Sequence, residues 1–156
     1  ASALSIGSHC ASNLDHLELT RSSIGLRGAQ GLVPILPRLT HLDLSYSSKL
    51  CVQALSVLLL GRPTLEPLVV GATPCARTLR TLRLRGCAQC VTDELFLVFW
   101  PRAVQLHTLD VSGCIKLTDA SFRMIAAAYE RPPSRRPKLH LLNVSECSGL
   151  GERGAP

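Results

Sequence analysis

Cys87-Ala88-Gln89-Cys90 has the C-x-x-C spacing of a zinc half-site or a redox dithiol. A closed zinc site needs four ligands, yet no second C-x-x-C pair follows, and His107 would serve as a third ligand with no fourth in view. His9-Cys10 sets a base beside a thiol, but neighbouring side chains on a helix diverge, so the pair does not make an activated nucleophile. Asp43 and Asp110 invite an acid/base reading, although both stand in a recurring Leu-Asp-[Leu or Val]-Ser string two or more repeats apart. Phosphate-loop, nucleophile-elbow and H-E-x-x-H zinc motifs do not occur. The expectation is a chain that is not an enzyme, with no catalytic residue, metal site or cofactor.

The other chemistry on offer is charge. Arg131, Arg135, Arg136 and Lys138 crowd the proline-rich stretch 131–138, where an exposed, mobile loop is expected. The net charge is +6; residues 1–61 hold four Lys or Arg against three Asp or Glu, and residues 62–156 hold thirteen against eight. A basic balance attracts acidic partners, nucleic acid included, and Arg80, Arg83 and Arg85 form a second positive patch. Only three Phe, two Tyr and one Trp are present to stack on bases, which leaves RNA contact as an alternative.

The elements that must position these groups follow from a repeat. At 156 residues, 46% apolar and 18% charged, the chain has the composition of one compact unit rather than a disordered one. Leu14-Asp15-His16-Leu17-Glu18-Leu19 has the form L-x-x-L-x-L, and the form returns from Leu39, Leu79, Leu106 and Leu139, at separations of 25, 40, 27 and 33. Eight residues after each opening leucine stands a small residue: Ser22, Ser47, Cys87, Cys114 and Cys147. Thr92-Asp93 and Thr118-Asp119 then start helices, because a Thr or Asp oxygen accepts from the unpaired amides of a first turn. Leu95, Val98 and Phe99, and likewise Phe122, Ile125 and Ala126, are spaced for one buried helical face.

This pattern resembles leucine-rich repeats, most closely the cysteine-containing repeats of F-box/leucine-rich-repeat proteins; Leu109-Asp110-Val111-Ser112-Gly113-Cys114 and Leu82-Arg83-Leu84-Arg85-Gly86-Cys87 carry the likeness. The first repeat, with Ile24-Gly25-Leu26-Arg27-Gly28-Ala29, is similar to the ribonuclease-inhibitor type. The resemblance covers about residues 4–150 and implies an α/β fold: a single right-handed β-α horseshoe solenoid segment over 1–156, with a parallel concave sheet and helices on the convex side. Leu65-Glu66-Pro67-Leu68-Val69-Val70 also fits the strand template, but Leu79 follows too soon for a helix. Either a degenerate repeat opens near 65 or residues 61–78 are an insertion. The ends carry no polar cap, and a chain that is part of a longer protein is expected.

In such a repeat the leucines point inward and the residues between them form a reading face. The candidate contact residues on it are His16, Glu18, His41, Asp43, Arg83, Arg85, Asp110 and Asn143, spread over roughly 20 Å at about 4.8 Å per strand. The resemblance implies protein partners: subunits of a large intracellular assembly, or a substrate read by the repeats. An F-box outside this chain would add a cullin-RING ubiquitin-ligase adaptor. Seven cysteines, an odd number, favour a reducing compartment such as cytoplasm, nucleus or cilium. No membrane insertion is expected, since no apolar run approaches the roughly 18 residues of a span.

Overall fold

The structure, a computed structural model, describes residues 13–61 and 75–151. The expected helix around residues 4–10, the possible repeat opening at Leu65 and the final stretch from Glu152 lie outside the described residues. The fold is α/β. Among the described residues five strands, β1 (His16–Glu18), β2 (His41–Asp43), β3 (Thr81–Arg83), β4 (Thr108–Asp110) and β5 (Leu141–Asn143), form one parallel sheet in sequence order.

The register is the same throughout: Leu17 pairs with Leu42, Leu42 with Leu82, Leu82 with Leu109 and Leu109 with Leu142. Each position of the six-residue string therefore meets its own equivalent on the next strand. The strands are short because the chain turns at the eighth position, which takes the left-handed conformation every time: φ is 55° at Arg21, 59° at Tyr46, 69° at Gly86, 73° at Gly113 and 62° at Glu146. The ladder still continues through these turns, with the amides of Arg21, Tyr46, Gly86 and Gly113 donating to Ser45, Arg85, Ser112 and Ser145 of the next strand segment at 2.7–2.8 Å.

Among the described residues four helices follow the strands: α1 (Leu26–Gly31), α2 (Val52–Leu60), α3 (Asp93–Phe99) and α4 (Asp119–Tyr129). They pack in succession, α1 on α2, α2 on α3 and α3 on α4. The threonine starts expected from sequence are present: Thr92 Oγ1 accepts from the Leu95 amide, and Thr118 Oγ1 from the Ala120 amide, both at 3.3 Å. Short 3-10 turns (Val33–Arg38, Cys75–Arg77, Trp100–Arg102 and Pro133–Arg135) lead into β2, β3, β4 and β5. Among the described residues no helix is long and apolar enough to cross a membrane.

The core lies between sheet and helices. Leu39, Leu42, Leu44, Leu79, Leu82, Leu84, Leu106, Leu109 and Val111, the first, fourth and sixth positions of the three middle strings, are all buried. Each such side chain contributes roughly 1.5–3 kcal/mol of apolar burial. The edge strand β5 is less covered, and Leu142 is 37% exposed where its equivalent Leu109 is fully buried.

The helix faces differ in part from expectation. Leu95, Phe99 and Ile125 are buried, Val98 and Phe122 partly so, and Ala126 faces outward. The buried line of α4 is instead Ser121, Ile125 and Ala128, at i, i+4 and i+7, and Phe96 joins the core by stacking on Trp100 and meeting Phe99 edge-on.

The cysteine ladder has a structural role. Cys87, Cys114 and Cys147 donate their thiol hydrogens to the sixth-position carbonyls of the preceding repeat, Leu44, Leu84 and Val111, at 3.3, 3.3 and 3.1 Å. Ser47 does the same to Leu19 at 3.0 Å. A small side chain with a donor suits this place, which explains why only Ser and Cys occupy it.

Candidate functional site

The common register gathers the expected contact residues on the face of the sheet opposite the buried leucines. The third positions form one row, His16, His41, Thr81, Thr108 and Leu141; the fifth form another, Glu18, Asp43, Arg83, Asp110 and Asn143. His16 stacks on His41 with ring centroids 5.0 Å apart and planes at 14°, and His16 Nε2 lies 3.0 Å from Glu18 Oε1. Leu141 ends the row as an apolar side chain 52% exposed.

The fifth-position row is a charge ladder. Arg83 stands between Asp43 and Asp110 in the register and lies 3.8 Å from the Asp43 carboxylate. Asn143 Nδ2 donates to Asp110 Oδ2 at 3.3 Å. The two aspartates and Asn143 also close the turns beneath them: Asp43 Oδ1 accepts from the Ser45 amide at 2.9 Å, Asp110 Oδ1 from the Ser112 amide at 3.0 Å, and Asn143 Oδ1 from the Ser145 amide at 3.1 Å. Asp43 and Asp110 are therefore half-buried turn residues as well as members of the face, while Glu18 and Arg83 are exposed.

The seventh positions do not all join the face. Ser45 and Ser112 are buried, because the Ser45 hydroxyl accepts from the Arg85 amide at 3.3 Å and that of Ser112 donates to Asp110 at 2.6 Å. Arg85 does join it, through a residue that sequence reading passes over. The Tyr46 ring lies between two guanidinium groups, 5.7 Å from Arg21 and 5.8 Å from Arg85, and remains 44% exposed. Its only sequence signal is its eighth position, and nothing local brings together residues 25 before and 39 after it.

Arg131, Arg136 and Lys138 of the basic loop are exposed, as expected. The loop is tied rather than free: Arg136 Nε donates to the Arg131 carbonyl and Lys138 Nζ to Gln105 Oε1, both at 2.8 Å, around the 3-10 turn that includes Arg135. Arg83 lies on the sheet and Arg85 beside the Tyr46 ring, whereas Arg131, Arg136 and Lys138 line a cleft with Trp100 and Val104, so the two basic patches are separate.

The C-x-x-C pair is interior. Cys87 and Cys90 are buried, and Cys90 Sγ donates to the Cys87 carbonyl at 3.5 Å. Contact with the Cys90 thiol holds Cys87 below its ordinary pKa, whereas contact with Cys87 and then burial drive Cys90 well above it. Burial pushes Cys114 up to about 12 and raises Cys75 and Cys147. Among the described residues no three His, Cys, Asp or Glu side chains gather as a metal-ligand group. His9-Cys10 lies outside the described residues.

Compared with known proteins, the chain matches no protein-family model and no curated protein.

Proposed function

We infer that the chain is a leucine-rich-repeat solenoid acting as a non-catalytic protein–protein interaction scaffold, with the open face of its sheet as the contact surface. The observation that carries this reading is the constant register of five parallel strands in sequence order, which sets equivalent side chains in rows. In this reading the strands line the concave side of a right-handed horseshoe and the successive helices its convex side. The face offers what a protein partner recognises: stacked imidazoles, a charge ladder, an aromatic ring between two arginines and an apolar end at Leu141. Five buried free thiols among the described residues suit a reducing intracellular compartment.

Two roles fit such a face: structural subunit of a large assembly, or substrate reader, including the F-box-type receptor of a cullin-RING ligase. RNA contact is the alternative of a different class, favoured by the exposed cations Arg131, Arg136 and Lys138. Affinity purification of the tagged protein at moderate salt, with and without nuclease and with stoichiometry read by mass spectrometry, separates them. One fixed set of proteins at equal stoichiometry supports the subunit role, and a cullin with its adaptor supports the receptor. Recovery that disappears on nuclease treatment overturns the protein-binding reading.

A further inference from the structure

We propose that the cleft between the Trp100–Arg102 turn and the 131–138 loop binds an acidic peptide segment bearing a bulky apolar side chain. The cleft has a volume of about 410 Å³, within the range of about 300–1,000 Å³ of ordinary ligand sites. Trp100, Val104 and Ala128 give it an apolar wall, and Arg131, Arg136 and Lys138 line the same space. It is distinct from the sheet face and does not depend on the solenoid reading.

Two observations point to this chemistry. First, among the described residues three cations line the cleft and no carboxylate does. Their mutual repulsion is relieved by an anionic occupant, and two of the side chains are held in place: Arg136 Nε donates to the Arg131 carbonyl, and Lys138 Nζ to Gln105, another lining residue. An ammonium has three hydrogens, so the bond to Gln105 leaves two for a ligand carboxylate. Second, Val104 is 53% exposed within this charged surround, an apolar surface that an inorganic anion would leave wet. An acidic segment with one leucine-like anchor satisfies both.

A nucleic acid fits less well. Base binding needs an open aromatic face, and Trp100 is buried, with its ring stacked on Phe96 at 6.3 Å and 10°.

Trp100 is the only tryptophan in the chain and therefore reports on the cleft. The protein is titrated with a short acetylated peptide alternating Glu and Leu, reading tryptophan emission and, in parallel, the anisotropy of a fluorescein-labelled copy. Comparison probes are a Glu/Ser peptide, a Lys/Leu peptide and an oligouridylate. The expected result is saturable binding of the Glu/Leu peptide, at least about tenfold weaker binding of the Glu/Ser peptide and none of the Lys/Leu peptide. Arg131→Gln with Lys138→Gln, and separately Val104→Asp, should each weaken binding by at least about tenfold with unchanged circular dichroism. All three positions are exposed, so the fold should survive. Absent binding, equal binding of the Glu/Ser peptide, undiminished binding by folded variants, or tighter binding of the oligouridylate would each overturn the proposal.

Discussion

Cys114 donates to the Leu84 carbonyl from a fully buried position, and burial pushes its thiol pKa up to about 12. The unfolded thiol ionises at about pH 8.5. A raised folded value means that the stability due to the neutral thiol is complete below about pH 8.5 and declines as pH climbs toward the folded value, because only the unfolded state readily sheds the proton. Urea unfolding should therefore show stability falling above about pH 8.5, less steeply in Cys114→Ser. At neutral pH Cys114→Ser keeps the donor and should cost about 1 kcal/mol, whereas Cys114→Leu overfills the site and should cost about 1–3 kcal/mol. Gly86 gives a second test. A Cβ there would lie 2.6 Å from Tyr46 Cδ1 at φ +69°, while at Gly113 the nearest atom would be 3.5 Å away at φ +73°. Gly113→Ala should cost about 1 kcal/mol for the backbone alone, and Gly86→Ala about 1–3 kcal/mol more because the Tyr46 ring must move. Removing the ring with Tyr46→Ala should erase that excess in the double mutant; strictly additive costs would contradict the packing described.

At the scale of the element, the junction between α3 and α4 rests on Asp93. Its carboxylate accepts from the Thr118 amide at 3.0 Å, the Thr118 hydroxyl at 2.6 Å and the Ser121 hydroxyl at 2.6 Å. Burial opposes its ionisation, but the hydroxyls of Ser121 and Thr118 outweigh it and hold the carboxyl below its usual value. This stabilisation is complete above the unfolded carboxylate value of about 3.9 and is lost as pH falls through the lower folded value. Asp93→Ala should cost about 1–3 kcal/mol at pH 7, since Ser121 is fully buried and loses its acceptor, and the cost should shrink in strong acid. A cost independent of pH would contradict the assignment. Much at this scale was legible in the sequence, because it is periodic and local: the L-x-x-L-x-L strings mark the strands, Ser or Cys marks the small ninth position, and Thr92 and Thr118 mark helix starts. Ala128 rather than Ala126 faces the core on α4, two positions that residue type alone does not separate. Tyr46 and the Trp100 cleft have no local sequence signal, because each is assembled by tertiary contact between residues distant in sequence. The turn-closing bonds of Asp43 and Asp110 have no separate signal, because an acid that closes a turn and an acid left on an open face are the same residue type.

For the whole molecule, the successive packing of strands and helices means that an interior repeat is supported on both sides and an edge repeat on one. Leu109→Ala, in the middle of the sheet, should cost about 2–5 kcal/mol, and Leu142→Ala, its partly exposed equivalent on β5, markedly less; equal losses in denaturant melts would contradict this gradient. The same arrangement turns one side of the molecule into rows of equivalent residues, and the proposed function rests on that side being the one a partner covers. The most direct test compares partner recovery by the native protein, by a face variant carrying Arg83→Glu and Leu141→Asp, and by Leu97→Asp on the outward side of α3, each first shown to be folded. The account predicts that the face variant loses its stoichiometric protein partner by at least about tenfold while Leu97→Asp retains it. Retention by the face variant together with loss in Leu97→Asp would move the contact to the helices and contradict the account.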